Sequence, residues 1–221
     1  MNLSYSSLST MKDCHRCFYL DRKHKLGRPQ GIKSGVPTAV DLILKESLEV
    51  YRGDLPPVLK AEERLSGFQL YQGADLKKMR HWASNPLNID LGGGNTVIGA
   101  FDDLLYNPST CEYAYLDYKT TGKEPAAEFG EKYYQSQCDI YSDFLTRGGR
   151  RVALFGVLLF FWPEKDATGG VIFKSKALFL TPNPWNAEVL FANALQLLSG
   201  PLPPAGPVCE YCQFVEKRKN L

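Results

Sequence analysis

Hydrophobic positions along the chain follow two different spacings. Apolar residues three and four positions apart, the spacing of one helix face, occur in five segments, and continuous or alternating apolar runs typical of strands occur in four. The predicted helices cover residues 4–20, 38–51, 75–84, 128–146 and 185–198, and the predicted strands cover residues 96–106, 112–120, 151–162 and 171–180. A turn joins the first two strands as a hairpin. This order predicts an α/β or α+β core with an N-terminal helical part.

Length and composition indicate one soluble domain. The chain has 221 residues, and single cores commonly reach about 200–250 residues. Its 44% hydrophobic and 23% charged residues exclude a disordered, collagen-like or coiled-coil chain. The longest nearly unbroken apolar run, residues 152–162, is shorter than the roughly 20 residues of a membrane-crossing helix. Because the first residues lack the pattern of a secretory signal, we expect a cytoplasmic protein that contacts no membrane.

Charge is distributed unevenly although the net charge is only +2. Residues 12–33 contain seven basic and two acidic residues, and residues 213–221 contain three basic residues and one acidic residue. The small net charge excludes a strongly basic protein that holds nucleic acid by charge alone. Basic ends around an acidic middle suit either a phosphate-binding rim beside a carboxylate-rich site or an ordinary solvated surface.

Four of the six cysteines form two C-x-x-C pairs, one near each end of the sequence. The pairs are Cys14 with Cys17 and Cys209 with Cys212. Two such pairs predict one four-thiolate site for zinc or an iron-sulfur cluster, which joins the two ends of the chain. Cys111 and Cys138 have no comparable partner, and we expect them to be ordinary turn or packed cysteines.

An acid-x-lysine triplet occurs three times, and only Asp117-Tyr118-Lys119 lies on a predicted strand. Alternation along a strand places Asp117 and Lys119 on one face. A carboxylate and an ammonium on an apolar strand are costly unless they are paired or bind a ligand. The triplet therefore predicts either a salt bridge at a strand end or a chemical site.

A second carboxylate, Asp102, lies on the partner strand of the hairpin and interrupts an apolar row. Two carboxylates on adjacent strands can hold Mg²⁺ or Mn²⁺, which prefer oxygen ligands. Lys119 beside them can orient a water molecule or offset charge on a phosphate. Asp103 is predicted to face the other way and is kept as a reserve ligand.

Gln137 and Tyr141 are four residues apart on the helix that follows the hairpin. Their spacing places them on one stripe with Tyr133 and Phe144. A glutamine within an aromatic stripe needs hydrogen-bond partners. Taken alone, the pair favours core packing with one satisfied amide.

Together these elements resemble the PD-(D/E)XK nuclease superfamily, and within it the RecB-like branch of CRISPR-associated RecB-like nucleases and AddB. The resemblance covers most of the chain. It rests on the opening helix with Leu3-Ser4-Tyr5 and Cys14-His15-Arg16-Cys17-Phe18-Tyr19, on Gly99-x-x-Asp102, on Asp117-Tyr118-Lys119, on Gln137-x-x-x-Tyr141 and on the terminal cysteines.

The resemblance implies a restriction-endonuclease-like core with a mixed sheet flanked by helices. It implies one nuclease domain over residues 1–221, with a helical part at 1–60, a catalytic core at 96–200 and a cysteine tail at 207–221. Asp102 and Asp117 are expected to bind the metal with the carbonyl of Tyr118, and Lys119 to be catalytic. Gln137 and Tyr141 would support the site or the nucleic acid. The cysteines Cys14, Cys17, Cys209 and Cys212 would hold a 4Fe-4S cluster, with zinc as the alternative.

Two features depart from the branch pattern. The helix before the hairpin often carries a histidine where this chain has Asp41, which can ligate a hard cation or pair with Lys45 four residues on. Many relatives also take one cysteine from the N-terminal side and three from the C-terminal side. Here Arg218 stands at the third C-terminal position and Cys17 is the additional N-terminal cysteine.

The sequence thus predicts a nuclease dependent on Mg²⁺ or Mn²⁺ that hydrolyses phosphodiester bonds, with DNA as the expected substrate, single-stranded or with free ends. Repair, recombination or defence is the expected setting, with a helicase or another DNA-processing protein as a candidate partner. The competing interpretation is a binding or assembly module that retains the fold and the cysteine site without turnover. The intact Asp102, Asp117 and Lys119 favour the enzyme.

Overall fold

The computed structural model describes residues 1–29, 31, 35–81 and 87–219, apart from the side chains of residues 36 and 37. These residues belong to two units, one built from segments 1–33, 88–98 and 185–221 and the other from segments 34–87 and 99–184. Both units contain helices and strands, so the chain is mixed α/β, as the sequence predicts. None of the helices in the described ranges is long and apolar enough to cross a membrane.

In chain order the elements are β1 (Asn2–Leu3), α1 (Tyr5–Asp13), α2 (His15–His24), α3 (Gly35–Leu48), α4 (Pro57–Lys60), β2 (Gln69–Leu70), α5 (Leu76–Met79), β3 (Leu87–Gly92), β4 (Asn95–Gly99), β5 (Asp103–Asn107), β6 (Glu112–Thr120), α6 (Phe129–Arg147), β7 (Arg151–Val152), β8 (Gly156–Lys165), β9 (Val171–Leu180), α7 (Pro184–Ser199) and α8 (Glu210–Lys219). The predicted helix at 75–84 is shorter than expected, and part of that range lies outside the described residues. The sequence pattern did not predict α4, α8, β1, β2 or β3.

The single N-terminal helix predicted over residues 4–20 is wrong, because the chain forms α1 and α2 with a break at Cys14. Ser4 begins α1 with a reciprocal capping box to Ser7, which satisfies backbone groups at the helix start. Cys14 is extended, with φ −162° and ψ 112°. Its N–H still donates to Thr10 at 2.9 Å, and its carbonyl accepts from Phe18 at 3.1 Å. The helix direction therefore changes at one residue whose hydrogen bonds are kept.

The predicted strand at 96–106 is also divided. Its first part, β4, belongs to a small sheet with the order β1-β4-β3, in which β1 pairs with β4 in parallel. Its second part, β5, belongs to the larger sheet. At Gly99, a Cβ atom would lie 2.7 Å from the ring of Phe144, so this position requires a glycine. Asp102 consequently lies between two strands, not within a strand of the hairpin as the sequence pattern predicted.

The larger sheet has the order β2-β5-β6-β8-β9, and the short strand β7 also pairs with β6. The predicted hairpin is confirmed, because β5 and β6 are antiparallel from Asp103 opposite Leu116 to Asn107 opposite Glu112. Strands β6 and β8 are parallel, and β8 and β9 are antiparallel. The predicted strand at 151–162 is divided into β7 and β8, whereas β9 has its predicted bounds. Helix α6, predicted over 128–146, connects β6 to the strands parallel to it.

Strand β6 separates a hydrophobic core from a polar row. Leu116 and Tyr118 are buried in a cluster with leucines of α3, α4, β2 and β5. Asp117 and Lys119 alternate with them and point to the opposite face. The sequence thereby brings a carboxylate and a lysine together on the face that α6 contacts.

Candidate active site and cysteine site

Asp117 is the centre of a group of polar side chains on this face of β6. Its side chain is 3% exposed, and the ammonium of Lys119 forms an ion pair with its Oδ2 atom. The Gln137 amide, on α6, donates from Nε2 to Asp117 Oδ1 at 2.8 Å. The strand triplet and the helix glutamine, which are 20 residues apart in sequence, therefore meet.

Two oxygens of this group accept no hydrogen bond from the part of the chain that the structure describes. They are Asp117 Oδ2, whose charged neighbour is Lys119, and Gln137 Oε1. Burial raises the pKa of Asp117 to about 7; Lys119 opposes this rise and Asp102 adds to it. A buried carboxylate with too little positive charge around it is suited to a cation with oxygen preference.

Asp102 reaches the same group from the break between β4 and β5. Its Oδ2 accepts the backbone N–H of Tyr118 at 3.1 Å, which fixes the carboxylate beside β6. Its charge also contributes to the raised pKa of Asp117. The structure thus brings the two predicted acids together. The metal-ligand role of the Tyr118 carbonyl stays a prediction.

Asp41 is linked to Asp102 through a lysine. Lys45 Nζ lies 2.9 Å from Asp41 Oδ2, one helical turn away on α3, and 2.8 Å from Asp102 Oδ1. Burial alone would lower the pKa of Lys45, but the charges of Asp102 and Asp41 outweigh it and raise this pKa. The pairing of Asp41 with Lys45, one of the two alternatives that the sequence left open, is therefore present. Whether Asp41 also ligates a cation stays a prediction.

The oxygen donors fit a divalent cation held mainly by Asp102 and Asp117. Among the described residues, only the four cysteines form a group of three or more metal-ligand side chains that lie close together. Asp41, Asp102 and Asp117 therefore do not form a site of three carboxylates. The ammonium of Lys45 stands between Asp41 and Asp102 instead. A hard cation held by two carboxylates would complete its coordination with water and a phosphate oxygen.

Asp103 lies on the opposite face of the sheet, fully buried. Both of its oxygens accept from Arg52, one of them at 2.7 Å from Nη1, and the Tyr118 hydroxyl donates to its Oδ2 at 2.7 Å. This carboxylate is committed to a structural ion pair, so the reserve role as a metal ligand is not supported.

Tyr141 lies among aromatic rings. Its ring is 5.2 Å from that of Phe101 and 5.6 Å from that of Tyr115, both in near-perpendicular geometry. Edge-to-face contacts of this kind stabilise a packed core. The structure therefore places Tyr141 next to the residue that precedes Asp102, where it can support the position of that carboxylate.

A second site, the cysteine site, consists of Cys14, Cys17, Cys209 and Cys212. Their sulfur atoms lie within 4.8 Å of one another, and all four residues are buried. Individual Sγ–Sγ distances are 3.7 Å for Cys14 and Cys212 and 3.5 Å for Cys17 and Cys209, so no disulfide is present among them. The predicted junction between the first and the last part of the chain is confirmed. Four converging thiols fit a thiophilic metal or a cluster.

Arg28 borders the cysteine site, which the sequence did not indicate. Its guanidinium interacts with Cys17, pairs with Asp13 at 3.1 Å and stacks on Tyr211 at 5.0 Å from the ring centre. Burial raises the pKa of Cys17 to about 12, and Arg28 opposes this rise. A cation at this place would compensate part of the negative charge that four thiolates would carry with a metal or cluster bound.

The two remaining cysteines lie outside the cysteine site. Cys111 is exposed and Cys138 is buried, and neither belongs to the group of four.

In the basic N-terminal segment, Arg22 pairs with Asp21. Lys33, which the sequence also assigns to this segment, lies outside the described residues. The phosphate-binding role of the basic ends stays a prediction.

Comparison with protein-family models gives one match, which covers nearly all of the chain. The model of the PD-(D/E)XK nuclease superfamily matches residues 2–216. No curated protein matches the sequence. The matched range includes every residue of the two sites described above.

Proposed function

The chain belongs to the PD-(D/E)XK nuclease superfamily, and we propose that it is an active RecB-like nuclease that hydrolyses phosphodiester bonds of DNA with Mg²⁺ or Mn²⁺. The superfamily membership carries the coarser assignment to metal-dependent nucleases. The DNA substrate, the choice of metal and the RecB-like type are the parts that we add.

One observation carries the proposal of activity: the buried Asp117 carboxylate has a raised pKa and lies beside Asp102 and Lys119. In a protein without catalytic activity, the buried Asp117 carboxylate would lower stability and serve no purpose. An asparagine or an apolar residue at this position would avoid the cost of burying a charge. Functional sites are where such strained ionisable groups concentrate.

The side chains divide the chemistry among them. Asp102 and Asp117 would hold the divalent cation, which supplies charge stabilisation for the phosphate and a more acidic bound water. Lys119 lies against Asp117, where its ammonium can orient the attacking water and offset charge on the phosphate. Gln137 fixes the Asp117 carboxylate by its hydrogen bond, and the Tyr118 N–H fixes that of Asp102.

We assign the cysteine site to a 4Fe-4S cluster, with zinc as the alternative. The RecB-like resemblance favours the cluster, and the spacing of Cys14, Cys17, Cys209 and Cys212 suits either occupant. Its role is structural, because it joins the first and last segments of one unit. The proposed partners are single-stranded DNA or DNA with free ends, guided by the basic ends, and a helicase in repair, recombination or defence.

The experiment that tests this function is degradation of end-labelled DNA by anaerobically purified protein. Single-stranded and double-stranded DNA and a matched RNA are each incubated with Mg²⁺, Mn²⁺ or EDTA. The comparison variants are Lys119→Ala and Lys119→Gln, with Lys60→Ala as the control, because Lys60 forms an exposed ion pair with Asp54. We expect cutting that requires the metal, is lost in both Lys119 variants and persists in the control.

The competing function, a binding module without turnover, predicts a different result. Wild type and the Lys119 variants would then bind DNA equally and leave it intact with every metal. Cutting of RNA in preference to DNA would contradict the proposed substrate while leaving the nuclease assignment in place.

A further inference from the structure

Four aromatic rings form a continuous row from the interior of the sheet to the surface of α6. We call this row, Phe160, Tyr134, Phe129 and Tyr133, the ring row. Phe160 on β8 is fully buried, and its ring lies 6.0 Å from that of Tyr134 and 5.8 Å from that of Phe129. Phe129 in turn lies 4.7 Å from Tyr133, which is 52% exposed.

The ring row begins at the candidate active site. Lys119 Nζ lies 4.9 Å above the ring centre of Tyr134, while the same ammonium forms the ion pair with Asp117. Lys119 is also opposite Phe160 in the register of β6 and β8. A phosphate bound next to Lys119 would therefore have its nucleotide neighbours at the ring row.

Lysine side chains lie beside the ring row up to the protein surface. Lys132 Nζ lies 5.2 Å above the Tyr133 ring, and Lys176 of β9 is opposite Phe160 in the strand register. Acids are present as well. Glu124 pairs with Lys176 at 2.7 Å, whereas Glu128 and Glu131 lie at the start of α6, where the helix dipole accommodates acids. Exposed aromatic faces between lysines are the features by which proteins bind unpaired bases and the phosphates that join them.

We propose that Tyr133, supported by Phe129, stacks an unpaired base of single-stranded DNA next to the phosphate bound at Lys119. The inference rests on the proposed function and specifies its substrate, because a base within a duplex is already stacked on both sides and cannot cover the ring. The exposed phenol ring supplies the stacking face, and Lys132, beside Tyr133, and Lys119, beside Tyr134, are the cations for the flanking phosphates.

The test measures binding and stacking separately from cleavage. Short single-stranded oligonucleotides carry 2-aminopurine at one position each, scanned along the strand, and a matched duplex serves for comparison. Ca²⁺ replaces Mg²⁺, and the oligonucleotide is checked to be intact after each titration. The variants are Tyr133→Ala, Tyr133→Phe and Trp185→Ala, the last as a control because Trp185 is also an exposed aromatic ring but lies outside the candidate active site and the basic ends.

We expect Tyr133→Ala to weaken binding of the single strand roughly tenfold, since base stacking on an aromatic ring has about this effect. Tyr133→Phe retains the ring and should bind like wild type, as should Trp185→Ala. For wild type, 2-aminopurine fluorescence should be quenched at one position, and that quenching should be absent in Tyr133→Ala. Duplex binding should change less than twofold.

Other results would overturn the inference. Unchanged single-strand affinity in Tyr133→Ala would show that the ring only covers the start of α6. An equal loss for single strand and duplex would indicate a backbone contact rather than base stacking. If wild type bound none of the oligonucleotides, the proposed function itself would fail, a result distinct from both of these.

Discussion

Lys45 Nζ lies 2.8 Å from Asp102 Oδ1, so Asp102, like Asp117 with Lys119, already has a positive partner within the protein. The same ammonium holds Asp41 on α3. Lys45 therefore acts as an internal counter-charge that stabilises the carboxylates when no metal is bound, and a cation entering between them has to compete with it.

Replacing Lys45 by methionine should strengthen metal binding and weaken the metal-free fold. Loss of the ammonium increases the negative charge around Asp102, so we expect the Kd for Mn²⁺ to fall about tenfold. The metal-free protein should lose about 1 kcal/mol of unfolding free energy because Asp41 and Asp102 then repel each other. Calorimetric titration with Mn²⁺ and thermal unfolding in EDTA measure the two effects. Lys60→Met, an exposed pair, should change neither, and weaker Mn²⁺ binding in Lys45→Met would contradict the competition.

Asp117→Asn should stabilise the metal-free protein while it abolishes cutting. Burial and the charge of Asp102 raise the pKa of Asp117 to about 7, so the ionised carboxylate opposes folding at pH 8. The amide keeps an acceptor for Gln137 and carries no charge. We expect a gain of about 1–2 kcal/mol, measured by urea unfolding in EDTA at pH 8. A smaller gain at pH 5.5, where the wild-type group is protonated, is the internal check, and a loss of stability at both pH values would refute the electrostatic argument.

Cys212→Ser should remove the metal or cluster of the cysteine site and destabilise the chain. Three thiols cannot complete a four-ligand site, and the first and last segments of the unit lose their common attachment. We expect a loss of about 3 kcal/mol or more, together with loss of bound iron or zinc by elemental analysis. Cys111→Ser changes an exposed cysteine outside the site and should retain both metal and stability. Equal metal content in the two variants would show that the four cysteines bind none.

Arg52→Met should destabilise the fold without changing the metal site. Asp103 is fully buried, and removal of its guanidinium partner leaves a charge that is costly in the interior, about 3–5 kcal/mol. Urea unfolding of Arg52→Met and of the double variant with Asp103→Asn measures this cost, and the double variant should recover part of it. Arg151→Met serves as the control, since Arg151 is 69% exposed in its pair with Glu112. A changed Mn²⁺ affinity in folded Arg52→Met would argue that Asp103 takes part in the site after all.

The parts of the site that depend on local spacing could be predicted from the sequence. Alternation along β6 placed Asp117 and Lys119 on one face, and helical spacing placed Gln137 on a stripe that needed a partner. The structure supplies that partner, Asp117, at 2.8 Å. In each case the prediction used a spacing within one regular element, where periodicity carries the information, whereas the partner of Gln137 lies on another element.

The parts that depend on chain direction could not be predicted. Apolar residues continue through Gly99, Ala100 and Phe101, so nothing in the pattern marked the change from one sheet to the other that places Asp102 between strands. The contact of Lys45 with Asp102 spans 57 positions and depends on where α3 packs, which no local rule gives. Cys14 interrupts a helix although its own hydrogen bonds are satisfied, so helix propensity gave no sign of the break.

The cysteine site also sets an order of events during synthesis. Cys17 and Cys209 are separated by 192 positions, which a ribosome covers in about 10–40 s. All of residues 34–184 has been made before the second thiol pair exists, so the unit with the carboxylate site can fold while the other unit still lacks its final segment. Insertion of the proposed metal or cluster at the cysteines would therefore be a late maturation step, and a chain terminated before Cys209 would lack two of the four thiols while containing every residue of the carboxylate site.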